Sequence, residues 1–358
     1  TTSSGWPIPE KLGLDFADDV FISLHTPHGW MRGQGRYEYL PPDTNFDYTD
    51  ELKGIERPMI IHEMGQWPAW PELSNLERYC GALQPANYRL FRELLTERGM
   101  RHLNPAFTRA SGRFMLSLYK EECESALRTP GVAGFQLLGL NDYPGQGTAM
   151  TGVLDWLWEV KPFVRAEEYR RFCGPAVLLA ELPARTFTTG QTIEAHIRIA
   201  HYGPEDLDSA EIHWKFCGSE GEILSEGRLE EQAVPTGCTT GLGAISIPLD
   251  RVKAPAACGL FLEVQGRRIS NSWDVWVYPE AEKPLDSGDV LITREWNEDT
   301  RQALREGRRV LLLHPAGAPG EKLPGMFMPV FWAWAFAGCN VPSTYGILCD
   351  PGHPALAA

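Results

Sequence analysis

The chain has 358 residues with a formal net charge of −14 at pH 7, and 43% of its residues are hydrophobic and 22% charged. This length allows two or three domains, and the composition is typical of a soluble globular protein. The acidic balance argues against nucleic acid as a partner, because binding to a phosphate backbone needs a surplus of Lys and Arg. The sequence contains no run of about 18 apolar residues that would predict a membrane span.

A short apolar strand is predicted at residues 59–61, and it leads to a carboxylate, Glu63. Gly65, Gln66 and Trp67 follow at once. A strand that ends in an acid, a glycine, an amide and an indole can present a charged group to a polar ligand beside an aromatic surface. The alternative interpretation is a strand-end Glu in a surface salt bridge.

A second apolar run, residues 132–140, ends at Asn141 and Asp142 and is followed by a glycine-rich loop. Between the two runs, apolar residues recur at helical spacing near residues 90–95 and 114–127. A strand, a helical excursion and another strand predict a parallel crossover unit, so both strand ends are expected on one rim.

These motifs resemble the last two catalytic-barrel strands of glycoside hydrolase family 2, especially its β-galactosidase-like and β-glucuronidase-like members. The matching residues are His62-Glu63-Met64-Gly65-Gln66-Trp67, residues 134–138, Asn141-Asp142-Tyr143, residues 152–155 and Lys161. The resemblance implies a (β/α)8 barrel and identifies Glu63 with the nucleophile of that family. One departure is Leu137 and Leu138, where many members carry a Trp, and this bears on sugar preference.

A retaining glycosidase uses two carboxyl groups about 5 Å apart, one as nucleophile and one as acid and then base. By the resemblance, the acid/base belongs to an Asn-Glu pair at an earlier strand end, and no such pair precedes Glu63. We therefore expect the chain to be an internal fragment that is inactive by itself. The residues expected to shape the sugar pocket are His25, His62, Gln66, Trp67, Asn141 and Asp142.

Other hypotheses stay open. A non-catalytic carbohydrate-binding or scaffold protein would keep a degenerate barrel and bind through Trp67 and later aromatic residues. Asp142 as the second carboxylate would make the chain a self-contained hydrolase. His25, His28 and His62 could suggest a metal, but they lack the i, i+4 helical spacing of zincins. We expect neither a metal nor an organic cofactor.

The pattern changes along the rest of the chain. Apolar residues alternate with polar ones in runs such as residues 193–199, which predicts an immunoglobulin-like sandwich. Residues 289–313 then predict strand, helix, strand. An apolar aromatic run at residues 326–336 either packs internally or forms a subsite wall.

The predicted fold class is therefore multidomain. It consists of a partial (β/α)8 TIM barrel at residues 1–173, an immunoglobulin-like β-sandwich at 174–280 and the start of an α/β domain at 281–358. By the resemblance, the partner is an oligo- or polysaccharide substrate, and the location is periplasmic or extracellular. We expect no nucleic-acid or membrane partner, because of the net charge of −14 and the lack of a long apolar run.

Overall fold

The computed structural model describes residues 2–5, 17–82, 84–143, 149–280, 288–313, 329–333, 350 and 352. The first part contains the strands β1 (Thr2–Gly5), β2 (Val20–Ser23), β3 (His25–Thr26), β4 (Gly29–Trp30), β5 (Met59–Met64) and β6 (Val132–Leu137). A parallel sheet has the order β1-β2-β5-β6, while β3 and β4 pair as a short antiparallel hairpin.

Two helices, α1 (Ala86–Glu97) and α2 (Asn104–Arg128), connect β5 to β6. Ala126 of α2 shares a core with Met59 and Ile61 of β5. On this strand, Met59 and Ile61 are buried, whereas Ile60 and His62 between and after them are half-buried. The alternation places one face of β5 against the helix and the other face away from it.

The predicted partial (β/α)8 TIM barrel is wrong. In the described part of the chain, the α-helices that connect strands of this parallel sheet are α1 and α2, and both lie between β5 and β6. The connection from β2 to β5 contains the β3–β4 hairpin and turns instead. The described parallel sheet has four strands and one helical crossover, and the described elements are mostly β-strands in several small sheets with few helices.

A short helix, α3 (Ala166–Arg170), precedes a region of antiparallel strands. These strands are β7 (Ala176–Glu181), β8 (Thr186–Thr188), β9 (Thr192–His201), β10 (Leu207–Ala210), β11 (Ile212–Cys217), β12 (Ile223–Arg228), β13 (Gln232–Val234), β14 (Cys238–Pro248), β15 (Ala256–Val264) and β16 (Ser270–Tyr278). They form a five-stranded sheet β12-β11-β15-β16-β8, a three-stranded sheet β14-β9-β7 and a β10-β13 pair. Only the β8–β16 pairing in the five-stranded sheet is parallel among these described strands.

The five-stranded and three-stranded sheets share one hydrophobic core. Ile197 of β9, Leu260 of β15 and Trp273 of β16 are all fully buried in it. Along much of β9, β15 and β16, buried side chains alternate with more exposed ones, as the period-two sequence pattern predicts for sheets packed on one face. The region is therefore a two-layer β-sandwich.

The last described elements are β17 (Val290–Thr293), α4 (Glu298–Arg305) and β18 (Arg309–Leu312), in which the two strands pair in parallel. Asn297 caps α4, since its Oδ1 accepts a hydrogen bond from the Thr300 N–H at 3.0 Å. The rest of the predicted α/β domain falls largely outside the described residues. None of the described helices is long and apolar enough to span a membrane.

Candidate functional site

Glu63 lies near the carboxyl end of β5, and 23% of its side chain is exposed. Its φ of +58° is in the left-handed region, which is uncommon for a residue with a Cβ atom. Such a conformation costs on the order of 1–3 kcal/mol and persists only where surrounding contacts hold it. The pairing of β5 with β6 is irregular between Ile61 and Met64, and Gly65 also has a positive φ. The contacts of this turn, residues 63–66, define the candidate site.

Arg32 places a positive charge beside this carboxylate. Its Nη1 lies 3.6 Å from Glu63 Oε2 and donates to the Glu63 carbonyl oxygen at 3.1 Å. The Arg32 side chain is only 2% exposed. Burial lowers the pKa of Arg32, while the nearby charges of Glu122 and Glu63 act in the opposite direction. Sequence reasoning missed Arg32, because it lies 31 residues before Glu63 in a loop without a motif.

His62 approaches the other carboxylate oxygen. Its Nε2 lies 3.6 Å from Glu63 Oε1, and its Nδ1 lies 2.9 Å from Gln136 Oε1 on β6. An amide oxygen only accepts, so Nδ1 carries a proton in this contact. Nε2 therefore donates toward Glu63 only when the imidazole is charged. The neighbouring strands β5 and β6 together orient this ring.

Gln66 holds the turn from within. It is buried, and its Nε2 donates to the Glu63 carbonyl oxygen at 2.6 Å. Its Oε1 accepts from the Trp332 indole N–H at 2.5 Å, and its carbonyl oxygen accepts from the Trp332 N–H at 3.2 Å. Part of the aromatic run predicted at residues 326–336 therefore reaches the candidate site.

A buried carboxylate, Glu122 of α2, ties two loops together beneath Glu63. Its Oε1 accepts from the Gly33 N–H at 2.9 Å, and its Oε2 accepts from the Gly65 N–H at 2.8 Å. Burial raises the pKa of Glu122, while the two N–H groups and the charge of Arg32 oppose that rise. Sequence reasoning missed Glu122, since a Glu inside a long helix is ordinarily solvent-exposed.

Gly65→Ala is expected to lower the free energy of unfolding by about 2–4 kcal/mol, because the added methyl group would strain a left-handed backbone and overlap with Tyr119. Gly65 has φ +81°, and a Cβ there would lie 2.2 Å from Tyr119 Cε1. Tyr119 is held in place, because its hydroxyl donates to the Thr151 carbonyl oxygen at 2.6 Å and lies 3.1 Å from the Gly65 carbonyl oxygen. Urea denaturation measures the loss.

The matched control is Gly54→Ala. Gly54 has φ +74°, but nothing lies within 4 Å of a Cβ built there. This variant carries only the backbone cost, about 1–2 kcal/mol. An equal loss in both variants would show that the contact with Tyr119 has no role.

The other predicted residues lie elsewhere. Trp67 is 1% exposed and packs in a core with Met115 and Tyr119, so the predicted aromatic surface at Trp67 is not found. His25 sits edge-on to Trp30 at 5.0 Å in the β3–β4 hairpin, and burial lowers its pKa. Among the described polar contacts, those of Glu63 involve Arg32, His62 and Gln66.

Asp142 is half of a buried ion pair. Its Oδ1 accepts from Lys161 Nζ at 2.7 Å and from the Gly152 N–H at 3.0 Å. Burial raises the pKa of Asp142 and lowers that of Lys161, and each charge opposes the shift of the other. Asn141 Nδ2 donates to the Asp142 carbonyl at 3.0 Å. Because of these contacts, Asp142 is not a free carboxylate, which argues against it as the second catalytic carboxyl group.

No group of three or more His, Cys, Asp or Glu side chains among the described residues is arranged to hold a metal ion.

Two family models match parts of the chain, and both describe domains of unknown function. DUF8488 matches residues 191–279 and DUF8487 matches residues 291–358. None of the curated proteins compared with the chain matches it. Neither family model covers half of the chain, so no family is assigned.

Solved structures with local similarity are diverse. The CARDB domain of a Pyrococcus furiosus protein, in complex with di-metal ions, is 10% identical over 29% of this chain and 94% of its own, with a TM-score of 0.23. The sporulation control protein Spo0M of Bacillus subtilis is 14% identical over 30% of this chain and 51% of its own, with a TM-score of 0.23. A Parabacteroides merdae β-glucuronidase is 14% identical over 29% of this chain and 14% of its own, with a TM-score of 0.22. Distant matches therefore include glycoside hydrolases, and the matched part spans about half of Spo0M and a seventh of the β-glucuronidase.

Proposed function

We propose that the chain is part of a retaining glycoside hydrolase acting on β-linked sugars, with Glu63 as the nucleophile. The observation that carries this proposal is the left-handed, partly exposed Glu63, with Arg32 at one carboxylate oxygen and His62 at the other. Backbone strain of this kind concentrates at sites where a side chain must be held for chemistry.

In this proposal the ionised Glu63 attacks the anomeric carbon, and the bond to the leaving oxygen breaks as the glycosyl–enzyme bond forms. Water then cleaves that ester and releases the sugar with its original configuration. The Arg32 guanidinium favours the carboxylate anion before attack and after release, because an opposite charge within about 4–6 Å stabilises it.

The second carboxyl group, which gives and then takes the proton, is assigned to a part of the protein outside this chain. An oligo- or polysaccharide substrate and a periplasmic or extracellular location belong to the same proposal and rest on the family resemblance alone.

Covalent labelling tests the nucleophile. A 2,4-dinitrophenyl 2-deoxy-2-fluoro-β-glycoside needs no general acid, since its leaving group departs as a stable anion. We therefore expect a glycosyl adduct on Glu63 even if the acid/base is absent, and peptide mass spectrometry locates it. Glucosyl, galactosyl and glucuronyl reagents cover the sugar alternatives.

Glu63→Gln should abolish labelling, because an amide is a poor nucleophile. Glu77→Gln is the control, since the Glu77 side chain is 85% exposed and forms a surface ion pair with Arg92. A label on any other carboxylate, or no adduct with any reagent, would reject Glu63 as the nucleophile.

A second candidate function is carbohydrate binding without hydrolysis. Trp276 and Tyr278 occupy alternate positions on β16 and are 43% and 49% exposed, so their rings share the outer face of the five-stranded sheet. Exposed rings on one face are available to the apolar face of a sugar. Sugar binding that is lost in Trp276→Ala, with no adduct on Glu63, would favour this function.

A further inference from the structure

Lys120, Glu124 and Asn271 form a buried cluster where α2 meets the β-sandwich. Lys120 and Glu124 lie one turn apart on α2, and Asn271 lies on β16. The side chain of Lys120 is 17% exposed and that of Glu124 is 0% exposed, while Asn271 is 3% exposed. Lys120 Nζ also lies over the Trp273 ring, 4.5 Å from its centroid. An amine, a carboxyl group and an amide therefore share a space from which water is largely excluded.

The contacts of the Asn271 amide fix which of its sides faces the lysine. Its Oδ1 accepts from Lys120 Nζ at 3.0 Å and from the Ser272 N–H at 2.9 Å. Its Nδ2 donates to Glu124 Oε1 at 2.7 Å and to the Leu178 carbonyl oxygen at 2.8 Å. Both neighbours of the oxygen are donors and both neighbours of the nitrogen are acceptors, so this orientation satisfies all four contacts and the flipped one does not.

This geometry brings an amine close to an amide carbon. Because a C=O bond is about 1.2 Å long, Lys120 Nζ lies at most about 4.2 Å from Asn271 Cγ. Reacting atoms need to approach to about 3–3.5 Å, so a side-chain shift of about 1 Å is sufficient. The Ser272 N–H already donates to the oxygen on which negative charge would develop during attack, and it would stabilise that charge.

Glu124 can carry a proton between the two nitrogens. Lys120 Nζ donates to Glu124 Oε1, which is the same oxygen that accepts from Asn271 Nδ2. A lysine must be neutral to act as a nucleophile, and burial lowers the pKa of Lys120, although the charge of Glu124 opposes this fall. The other oxygen of the carboxylate is held in place, since Oε2 accepts from the Trp273 indole N–H at 2.9 Å.

We propose that Lys120 and Asn271 form a covalent isopeptide bond between α2 and β16. Lys120 Nζ loses a proton to Glu124 and attacks Asn271 Cγ, and the C=O electron pair moves to Oδ1. Glu124 gives this proton to Nδ2 and takes a second proton from Nζ. The carbonyl group then re-forms as the Cγ–Nδ2 bond breaks, and the released ammonia takes the second proton from Glu124. The products are a secondary amide and an ammonium ion, and the reaction needs no oxidant or reductant.

The bond would join the two parts of the chain that this cluster already brings together. Until it forms, Lys120 and Glu124 keep the ion pair described here. Lys120 and Asn271 both line a groove between α2 and the sandwich, through which ammonia can leave. This chemistry uses none of the residues around Glu63, so it does not require that Glu63 be a nucleophile.

The test is the intact mass of the folded chain after prolonged incubation at neutral pH. We expect a mass lower than that of the sequence by one molecule of ammonia, and a branched tryptic peptide that contains both Lys120 and Asn271. Lys120→Arg should abolish both signals, because a guanidinium stays charged. Glu124→Gln should slow bond formation by about a hundredfold or more, the usual contribution of general acid–base catalysis. Lys53→Arg is the matched control and should keep the bond, since the Lys53 side chain is 68% exposed and pairs with Asp50 on the surface.

The proposal is overturned if the folded chain keeps its full mass. It is also overturned if ammonia is lost without a branched peptide, because a succinimide at Asn271 gives the same mass. The unmodified protein decides both outcomes by itself, even if a variant fails to fold. A bond that forms as fast in Glu124→Gln as in the unmodified protein, or in a chain kept unfolded in urea, would equally contradict the mechanism, since it relies on Glu124 and on the folded cluster.

Discussion

Replacing Glu122 with leucine is expected to lower the free energy of unfolding by about 3–5 kcal/mol, the usual cost of removing one member of a buried charged network. The Gly33 and Gly65 N–H groups would lose their acceptor, at about 1–3 kcal/mol each. Arg32 would also lose a neighbouring negative charge. Chemical denaturation followed by circular dichroism measures the loss.

Glu93→Leu is the control, since Glu93 is an exposed residue of α1, the other helix between β5 and β6. Its effect is expected to stay within about 0.5 kcal/mol. If Glu122→Leu unfolded at the same denaturant concentration as the unmodified protein, Glu122 would not hold the two loops.

The difference in stability between the unmodified protein and Glu122→Gln is expected to depend on pH. Burial in the folded protein raises the pKa of Glu122. The contribution of Glu122 to folding stability is therefore fully present below the pKa that this residue has in the unfolded chain. That contribution is lost as the pH rises through the folded pKa. The stability gap between the unmodified protein and Glu122→Gln should therefore be widest in acid and narrow toward neutral pH, and a gap that widens with pH would contradict the assignment.

Replacing Glu124 with leucine is expected to cost a similar amount, about 3–5 kcal/mol. Glu124 is fully buried and joins α2 to the β-sandwich. Its Oε2 accepts from the Trp273 indole N–H at 2.9 Å, and its Oε1 accepts from Asn271 Nδ2 at 2.7 Å. Lys120 pairs with the same carboxylate, and Arg128 Nη1 lies 3.7 Å away.

A double-mutant cycle with Lys120→Met tests this arrangement. Either single substitution removes one charge of this pair, so the two losses should add to clearly more than the loss in the double variant. Additive losses would show that the pair is not coupled. Burial alone would raise the pKa of Glu124, but the charges of Lys120 and Arg128 lower it overall. The contribution of Glu124 is therefore lost as the pH falls through its folded pKa, opposite in sign to that of Glu122.

Local sequence patterns located individual elements well. The apolar runs before Glu63 and Asn141 are the strands β5 and β6, and the alternating run at residues 193–199 lies within β9. Each pattern reflects which side chains of a segment are buried, and that is decided nearby. The number of strand–helix repeats is not decided by any single segment. Predicting a barrel from one crossover was therefore wrong.

The candidate site could likewise be predicted from the sequence only in part. His62, Glu63 and Gln66 could be grouped from the sequence, because they share one turn of the chain. Arg32 and Glu122 reach that turn across 31 and 57 residues, through loop and helix geometry that no local motif encodes. Trp67 was misplaced, since Gly65 turns at φ +81° and the indole that follows lies in the core.

Glu122 and Glu124 are separated by one residue on α2, yet the first grips the turn at Glu63 and the second grips Trp273 of the sandwich. One short segment of α2 therefore contacts both the turn at Glu63 and the sandwich. We therefore expect a substitution that displaces Trp273 in the sandwich to affect the turn at Glu63 as well.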